Sequence, residues 1–123
     1  MLKPLFVLAL VASAAHFGHN ALFLDTYPGP PWITGPGMVV VAWLIAAAIG
    51  VLGYRWHRRG HRTKALLALG AFCASCLLGF GHYFYGPPSH LDLLTNALIV
   101  CEGIAGAALL LYVLFDFVRP ARP

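Results

Sequence analysis

The sequence predicts an all-α integral membrane protein, folded as a bundle of four transmembrane helices. Its 123 residues are 60% hydrophobic and only 10% charged, whereas a soluble domain carries about 25% charged residues. A helix needs roughly 20 apolar residues to cross a bilayer. Four runs approach or exceed that length, at residues 5–24, 38–54, 65–85 and 93–118. In a four-span arrangement, all Lys and Arg residues fall on one side of the membrane.

The basic residues set the predicted orientation. They occur at the N-terminus, between the second and third spans, and at the C-terminus: Lys3, Arg55, Arg58, Arg59, Arg62, Lys64, Arg119 and Arg122. The other two connections contain Asp25 and Asp92 but no Lys or Arg. Because cytoplasmic loops collect positive charge, both termini are expected in the cytoplasm and the protein in the cytoplasmic (inner) membrane. The basic segment is expected to contact anionic lipid, and no nucleic-acid partner is expected.

The N-terminus also fits a second interpretation. Residues 1–14 resemble a signal peptide, with Lys3 before a short apolar stretch and a cleavage pattern of small residues at 12–14. Cleavage would leave three spans and an external N-terminus. The apolar run continues past this pattern to Leu24, which favours an uncleaved first span.

The two halves of the chain share a layout. Phe17-Gly18-His19 recurs sixty-three positions later as Phe80-Gly81-His82, and an aromatic, proline-rich turn follows each triplet. We interpret residues 1–123 as one membrane domain built from a duplicated helical hairpin. Its repeats are residues 1–56 and 65–118, and a basic cytoplasmic loop, residues 55–64, joins them. In an up-down-up-down ring the first and third spans are diagonal, so His19 and His82 would face each other across the core.

The first span carries three strongly polar side chains. His16, His19 and Asn20 have spacings of three and four, which place them on one side of a helix. Such a face inside a membrane is expected to point to protein, a cofactor or water. Tyr27 and Trp32, in the following loop, are expected at the depth of the lipid headgroups.

The middle of the chain is expected to serve mainly in helix packing. The second span has no acidic, basic or histidine side chain. His57 and His61 in the basic loop are expected to be solvated. Cys73 and Cys76 in the third span form a CxxC pattern, which is the redox motif of thiol oxidoreductases. At mid-span, however, thiols should be protonated and inert. With Cys101 of the fourth span they are expected to be structural thiols.

Polar groups collect in the outer half of the bundle. The candidate ligands of a metal or haem iron are His16, His19 and His82, with His90 as an outer candidate. Neutral imidazole is the commonest metal ligand among side chains, and one histidine from each of two helices can hold a haem iron. The cofactors expected are therefore haem b or a transition metal (Cu, Fe or Zn).

Glu102 is the second sign of a site. A carboxyl group inside a membrane is costly and marks function by default, so Glu102 is a candidate proton relay. The pocket residues expected around it are Asn20, Tyr83 and Asn96. His16, Asn20 and Glu102 have no counterpart in the other repeat, which favours a pocket between the first, third and fourth spans.

One segment has a family resemblance. Residues 81–88, Gly-His-Tyr-Phe-Tyr-Gly-Pro-Pro, lead to Glu102, and residues 81–102 resemble a helix-loop-helix segment of nitric oxide reductase-type haem-copper oxidases. In that family a glycine, two adjacent histidines, aromatic residues and a proline precede a helix with a glutamate. The resemblance implies that His82 is a metal ligand and Glu102 an acid beside the metal. Tyr83 stands in the place of the second histidine.

These features predict a haem- or metal-binding four-helix membrane protein, a small subunit of a respiratory or oxidative complex, with an outward-side His/Glu pocket. Two alternatives stay open. One is a structural or accessory subunit without catalysis, and the other is a small oligomeric transporter or membrane enzyme with an outward-facing polar pocket. The partners expected are membrane lipid and either other membrane subunits or further copies of the chain. The residues do not decide whether the protein is an enzyme.

Overall fold

The computed structural model describes residues 1–119 and is helical, with no strand in that range. Arg122, one of the basic residues assigned to the cytoplasmic side, lies outside the described residues. The α-helices are α1 (Leu2–Leu22), α2 (Pro36–Arg58), α3 (Arg62–Leu77), α4 (His82–Tyr85) and α5 (Leu93–Val118).

Four helical segments of the described chain are long and apolar enough to cross a membrane. They are α1, α2, α5 and the segment Arg62–Tyr85, in which a 3-10 turn at Leu78–Gly81 joins α3 to α4. The predicted all-helical class with four membrane-length helices is confirmed. The predicted bounds of the fourth span match α5, whereas the second helix begins earlier and ends later than its apolar run, at Pro36 and Arg58.

The helices form a closed ring. α1 packs against α2 and α5, and α3 packs against the same two helices. α1 and α3 are thus diagonal, as the alternating directions of the spans predict. Because α5 is the last helix and touches the first, any side chain that joins α1 to α5 closes the ring.

Small residues set the distances between helices. A Cβ atom added to Gly53 of α2 would lie 2.9 Å from Leu69, and one added to Gly106 of α5 would lie 2.5 Å from the Cβ atom of Cys76. These glycines therefore allow α3 to approach both of its neighbours, which is how helices associate in lipid, where no hydrophobic force draws them together.

The basic segment 55–64 differs from the predicted loop. α2 continues to Arg58 and α3 begins at Arg62, so most of the segment is helical. The turn between them uses Gly60, whose φ of 78° is in the left-handed region that favours glycine.

The helix ends that flank the turn between α2 and α3 are bonded to the C-terminal end of α5. The guanidinium of Arg62 donates hydrogen bonds to the carbonyl oxygens of Asp116, Phe117 and Arg119 at 3.0, 2.6 and 2.6 Å. His57 Nε2 lies 3.1 Å from a carboxylate oxygen of Asp116. The expectation that His57 is merely solvated is wrong. Arg62 satisfies carbonyl groups that have no partner inside a helix end.

Candidate functional site

The candidate site is centred on two buried side chains from helices at opposite ends of the chain. The Nδ1 atom of His16 in α1 and the Oε2 atom of Glu102 in α5 share a hydrogen bond. His16 is 1% exposed and Glu102 is 0% exposed. Removing both groups from solvent makes their pairing obligatory, because an unpaired buried polar or charged group is costly.

Gly79 makes room for this pair. It lies in the 3-10 turn between α3 and α4. A Cβ atom there would be 2.9 Å from Glu102 Oε2 and 3.2 Å from His16 Cε1. A side chain at this position would therefore displace the pair. Because glycine has none, the backbone of the turn can pack directly against His16 and Glu102.

His82 lies above the pair, toward the predicted outer side. Its Nδ1 atom is 2.7 Å from the carbonyl oxygen of Pro28. A carbonyl can only accept, so Nδ1 carries the proton and donates it. In the neutral ring Nε2 is then an acceptor, and it receives a hydrogen bond from Asn20 Nδ2 at 3.2 Å. Both ring nitrogens of His82 are therefore engaged.

Tyr27 is inserted among the histidines. Its ring centroid lies 5.4 Å from that of His16, 5.0 Å from that of His82 and 5.7 Å from that of His19. Its hydroxyl is 2.9 Å from His19 Nδ1. Burial raises the pKa of Tyr27 to about 12, so the hydroxyl keeps its proton at physiological pH. Tyr27 is 7% exposed, and the expectation that it sits among lipid headgroups gives way to a place inside the site.

His19 and His82 do not face each other as expected from the repeat. The imidazole that packs beside His82 is His16, with ring centroids 5.4 Å apart. His19 instead bonds Tyr27 and is only partly buried. The site thus resembles the asymmetric pocket between the first, third and fourth spans more than a symmetric pair of histidines.

The remaining predicted pocket residues form a separate cluster. The Tyr83 hydroxyl donates to Asn96 Oδ1 at 2.9 Å, and Asn96 Nδ2 donates to the carbonyl oxygen of Pro88 at 2.9 Å. These bonds fix the second outer loop, and no bond joins Tyr83 or Asn96 to Glu102 among the described residues. His90 in that loop is exposed.

Asp92 caps a helix, and two of the three cysteines are buried. Asp92 caps α5, because its carboxylate accepts from the Thr95 amide at 2.9 Å and from the Thr95 hydroxyl at 2.8 Å. These bonds from Thr95 lower the pKa of Asp92. Cys73 and Cys76 are fully buried, Cys101 is exposed, and all three are free thiols.

Three buried polar atoms of the site have no partner within residues 1–119. They are His16 Nε2, Glu102 Oε1 and Asn20 Oδ1. In native proteins most buried polar atoms are hydrogen-bonded, and each exception calls for an explanation such as a functional role, an ion or a water molecule. The pair and its neighbour are therefore able to accept a further hydrogen-bonding group.

No group of three or more His, Cys, Asp and Glu side chains is assembled for a metal ion in the described part of the chain. His16, His19 and His82 lie near one another, but each has a protein partner at one ring nitrogen, and His82 at both. The chemistry that the side chains support as they stand is proton exchange within a hydrogen-bonded imidazole-carboxyl pair.

Sequence reasoning missed Tyr27, Pro28 and Gly79 as parts of the site. A loop carbonyl such as that of Pro28 has no sequence signal at all. Gly79 belongs to a stripe of small residues on the same helical face as His82, three positions before it, but that stripe does not indicate contact with His16 or Glu102. Tyr27 could have been noticed as an aromatic residue eight positions after His19, but its burial depends on how the loop folds back.

Comparisons with protein families, with curated proteins and with solved structures give no match to this chain.

Proposed function

We propose that this chain is a small integral membrane protein that takes up and releases protons at the buried pair of His16 and Glu102, from the outer side of the membrane. The observation that carries this is the hydrogen bond between an imidazole and a carboxyl group that are both fully buried. Ionisable groups inside membrane helices mark proton relays and substrate pathways. A general acid-base pair needs its two groups within hydrogen-bond reach.

The pair has the parts that proton exchange requires. Within the bond, the proton belongs to either His16 Nδ1 or Glu102 Oε2. Each residue also has a second atom without a protein partner, His16 Nε2 and Glu102 Oε1. A proton can therefore arrive at one atom of the pair while the shared proton moves to the other residue.

The entrance in this proposal is the outer end of the bundle. A cavity of about 280 Å³ there is lined by Asn20, Asp25, Tyr27 and His82 among others. The His82 ring packs beside His16, so the cavity reaches the neighbours of the pair. The distribution of Lys and Arg supports cytoplasmic termini, which would turn this cavity to the outer face of the cytoplasmic membrane.

Infrared difference spectroscopy tests the proposal. Purified protein in lipid vesicles would be taken through a pH cycle, and the carbonyl stretch of protonated carboxyl groups recorded. We expect a band from a buried carboxyl group that changes with pH and that is lost in Glu102→Gln, which keeps the size and the hydrogen bond. In His16→Gln the band should remain but titrate in a different pH range, because the imidazole partner is gone.

An exposed carboxyl group supplies the control. Asp92→Asn removes a titrating carboxylate but keeps a capping residue at the start of α5, and it should leave the buried band unchanged. A buried band that survives Glu102→Gln, or wild-type protein without any pH-dependent band of this kind, would overturn the proposal.

A transition metal at the same pair is the second candidate function. It is favoured by the unpartnered His16 Nε2 and Glu102 Oε1 atoms, since imidazole nitrogen and carboxylate oxygen are ligands of Zn, Cu and Fe. A third ligand would come from His82 Nε2 if that atom released Asn20. Haem b fits less well, because both ring nitrogens of His82 are engaged. In this form the chain would be a small subunit of a respiratory or oxidative complex.

Elemental analysis and a visible spectrum of the purified protein test this candidate. A stoichiometric metal that is lost in both His16→Ala and His82→Ala, but kept in His90→Ala, would support it. A metal that persists in either of the first two variants, or none in wild-type protein purified without chelator, would rule it out.

A further inference from the structure

A groove larger than the outer cavity lies at the basic end of the bundle, which is the end that holds residues 55–64 and the C-terminal end of α5. It runs between α3 and α5, which pack against each other. Its volume is about 460 Å³, within the range of about 300–1,000 Å³ that is typical of ligand pockets. The charges in the sequence predict only that the basic segment contacts anionic lipid, whereas the structure adds a concave place beside it.

The groove is apolar toward the middle of the bundle. Its walls there are side chains of α3 and α5: Ala65, Leu66, Leu69, Tyr112 and Val113. Leu69 follows Arg62 by seven residues, which is about 10 Å along a helix. The groove thus has a charged end at Arg62 and an apolar stretch that extends from it toward the membrane interior. A guest that matches both parts is an amphiphile with the orientation of a bilayer lipid.

Two guanidinium groups, those of Arg62 and Arg119, line the charged end. Every hydrogen bond that the Arg62 side chain donates within residues 1–119 uses Nη2. Its Nη1 and Nε atoms therefore keep their N–H groups for a guest. Those bonds to the end of α5 also hold the Arg62 side chain in place before a guest arrives. A guanidinium group presents its donors in a fixed fork that matches phosphate oxygens.

The charge at this end favours an anionic guest. Seven Lys and Arg side chains of the described chain lie there, and Asp116 is the one acid among them. None of these seven forms a salt bridge with a carboxylate of the described residues, because Asp116 pairs with His57 at 3.1 Å instead. Basic clusters at the cytoplasmic side of a membrane attract anionic lipid headgroups.

We propose that this groove binds one anionic phospholipid. Its phosphate would accept hydrogen bonds from Arg62 and Arg119, and the upper part of its acyl chains would lie along Leu66 and Tyr112. A soluble phosphate would leave the apolar walls uncovered, and a zwitterionic lipid would bring a second cation toward the two guanidinium groups. The binding of this lipid is independent of proton exchange at the buried pair.

Native mass spectrometry of the purified protein in detergent, titrated with phosphatidylglycerol at constant ionic strength, tests this assignment. We expect saturable binding of one phosphatidylglycerol, at least tenfold tighter than that of phosphatidylcholine with the same chains. Arg119→Gln should weaken phosphatidylglycerol binding by about fivefold or more. Arg119 is exposed and takes part in the hydrogen bonds of Arg62 only through its carbonyl oxygen, so this variant should fold, and its circular dichroism spectrum would verify that.

Arg58→Gln is the matched control. It removes an equal charge from an exposed residue of the same end that does not line the groove, and it should leave the affinity within twofold of wild type. Equal weakening by the two variants would show a diffuse basic surface and would overturn the assignment. It would also be overturned if phosphatidylcholine bound equally well, if no saturable binding were found, or if glycerol 3-phosphate at the same concentration displaced the lipid.

Discussion

The hydrogen bond between His16 and Glu102 predicts strong energetic coupling between the two residues. The perturbations are His16→Leu, Glu102→Met and the two together, which replace the polar groups by apolar side chains of similar size. Glu102→Met leaves both ring nitrogens of His16 unpaired, because His16 Nε2 already lacks a partner. His16→Leu likewise leaves both carboxyl oxygens of Glu102 unpaired. The double variant leaves none of these atoms behind.

The magnitude follows from burial. An unsatisfied buried polar group costs about 1–3 kcal/mol, and hydrogen bonds between membrane helices are worth about 0.6 kcal/mol on average and up to about 1.7 kcal/mol. Since both residues are fully buried, each single variant should lose about 2 kcal/mol of unfolding free energy. The double variant should lose less than the sum of the two by about 0.6–1.7 kcal/mol, the range of hydrogen bonds between membrane helices.

Equilibrium unfolding by sodium dodecyl sulfate in mixed micelles, followed by circular dichroism, measures these free energies. The control cycle combines Glu102→Met with His90→Leu, an exposed histidine, and should be additive within about 0.5 kcal/mol. If the cycle of His16 and Glu102 is equally additive, the two residues are not energetically coupled and the burial argument is refuted.

Three further predictions concern the surroundings of the pair. Gly79→Ala should lower the unfolding free energy by about 1–3 kcal/mol, because its Cβ atom would meet Glu102. Gly81→Ala places its Cβ atom in open space and should leave the unfolding free energy unchanged. Equal effects of the two variants in the same unfolding assay would contradict this. At pH values above the ordinary Asp pKa of about 3.9, Asp92→Ala should have a lower melting temperature than the wild type. Because the folded pKa of Asp92 is lowered, its contribution disappears as the pH falls through that pKa, so melting curves of variant and wild type should converge in strong acid and diverge toward neutral pH. Alkaline absorbance titration of wild type minus Tyr27→Phe should show one phenol ionising near pH 12, and ionisation near pH 10 would show that Tyr27 is not buried.

The helices could be predicted from composition, because a helix that can span a membrane has a long apolar run. Such a run can be identified without knowing which helices it packs against. The diagonal placement of α1 and α3 followed from the alternating directions of four short-linked spans. Part of the site can also be predicted, since the sequence places His16, Asn20 and Glu102 as polar residues at membrane depth, and the structure brings His16 and Glu102 into contact.

The prediction that His19 and His82 face each other is wrong for a geometric reason. The two triplets match in sequence, but α3 is interrupted before His82 by the 3-10 turn Leu78–Gly81. A 3-10 helix has 3.0 residues per turn instead of 3.6, so four such residues rotate the following side chains by about 80° relative to a continuous α-helix. His82 consequently approaches Asn20 and the carbonyl of Pro28, positions that no periodicity in the sequence could indicate.

The bond between His16 and Glu102 also has a consequence for biosynthesis. A chain is made from its N-terminus, so α1 is complete well before α5 has been translated. Until α5 is made, His16 has no carboxyl group to share its hydrogen bond with. A nascent chain that stops before α5 would leave the imidazole of His16 without its carboxyl partner. The buried polar pair can therefore form only after the last helix has been made, so its formation reports that all four membrane-length helices are present.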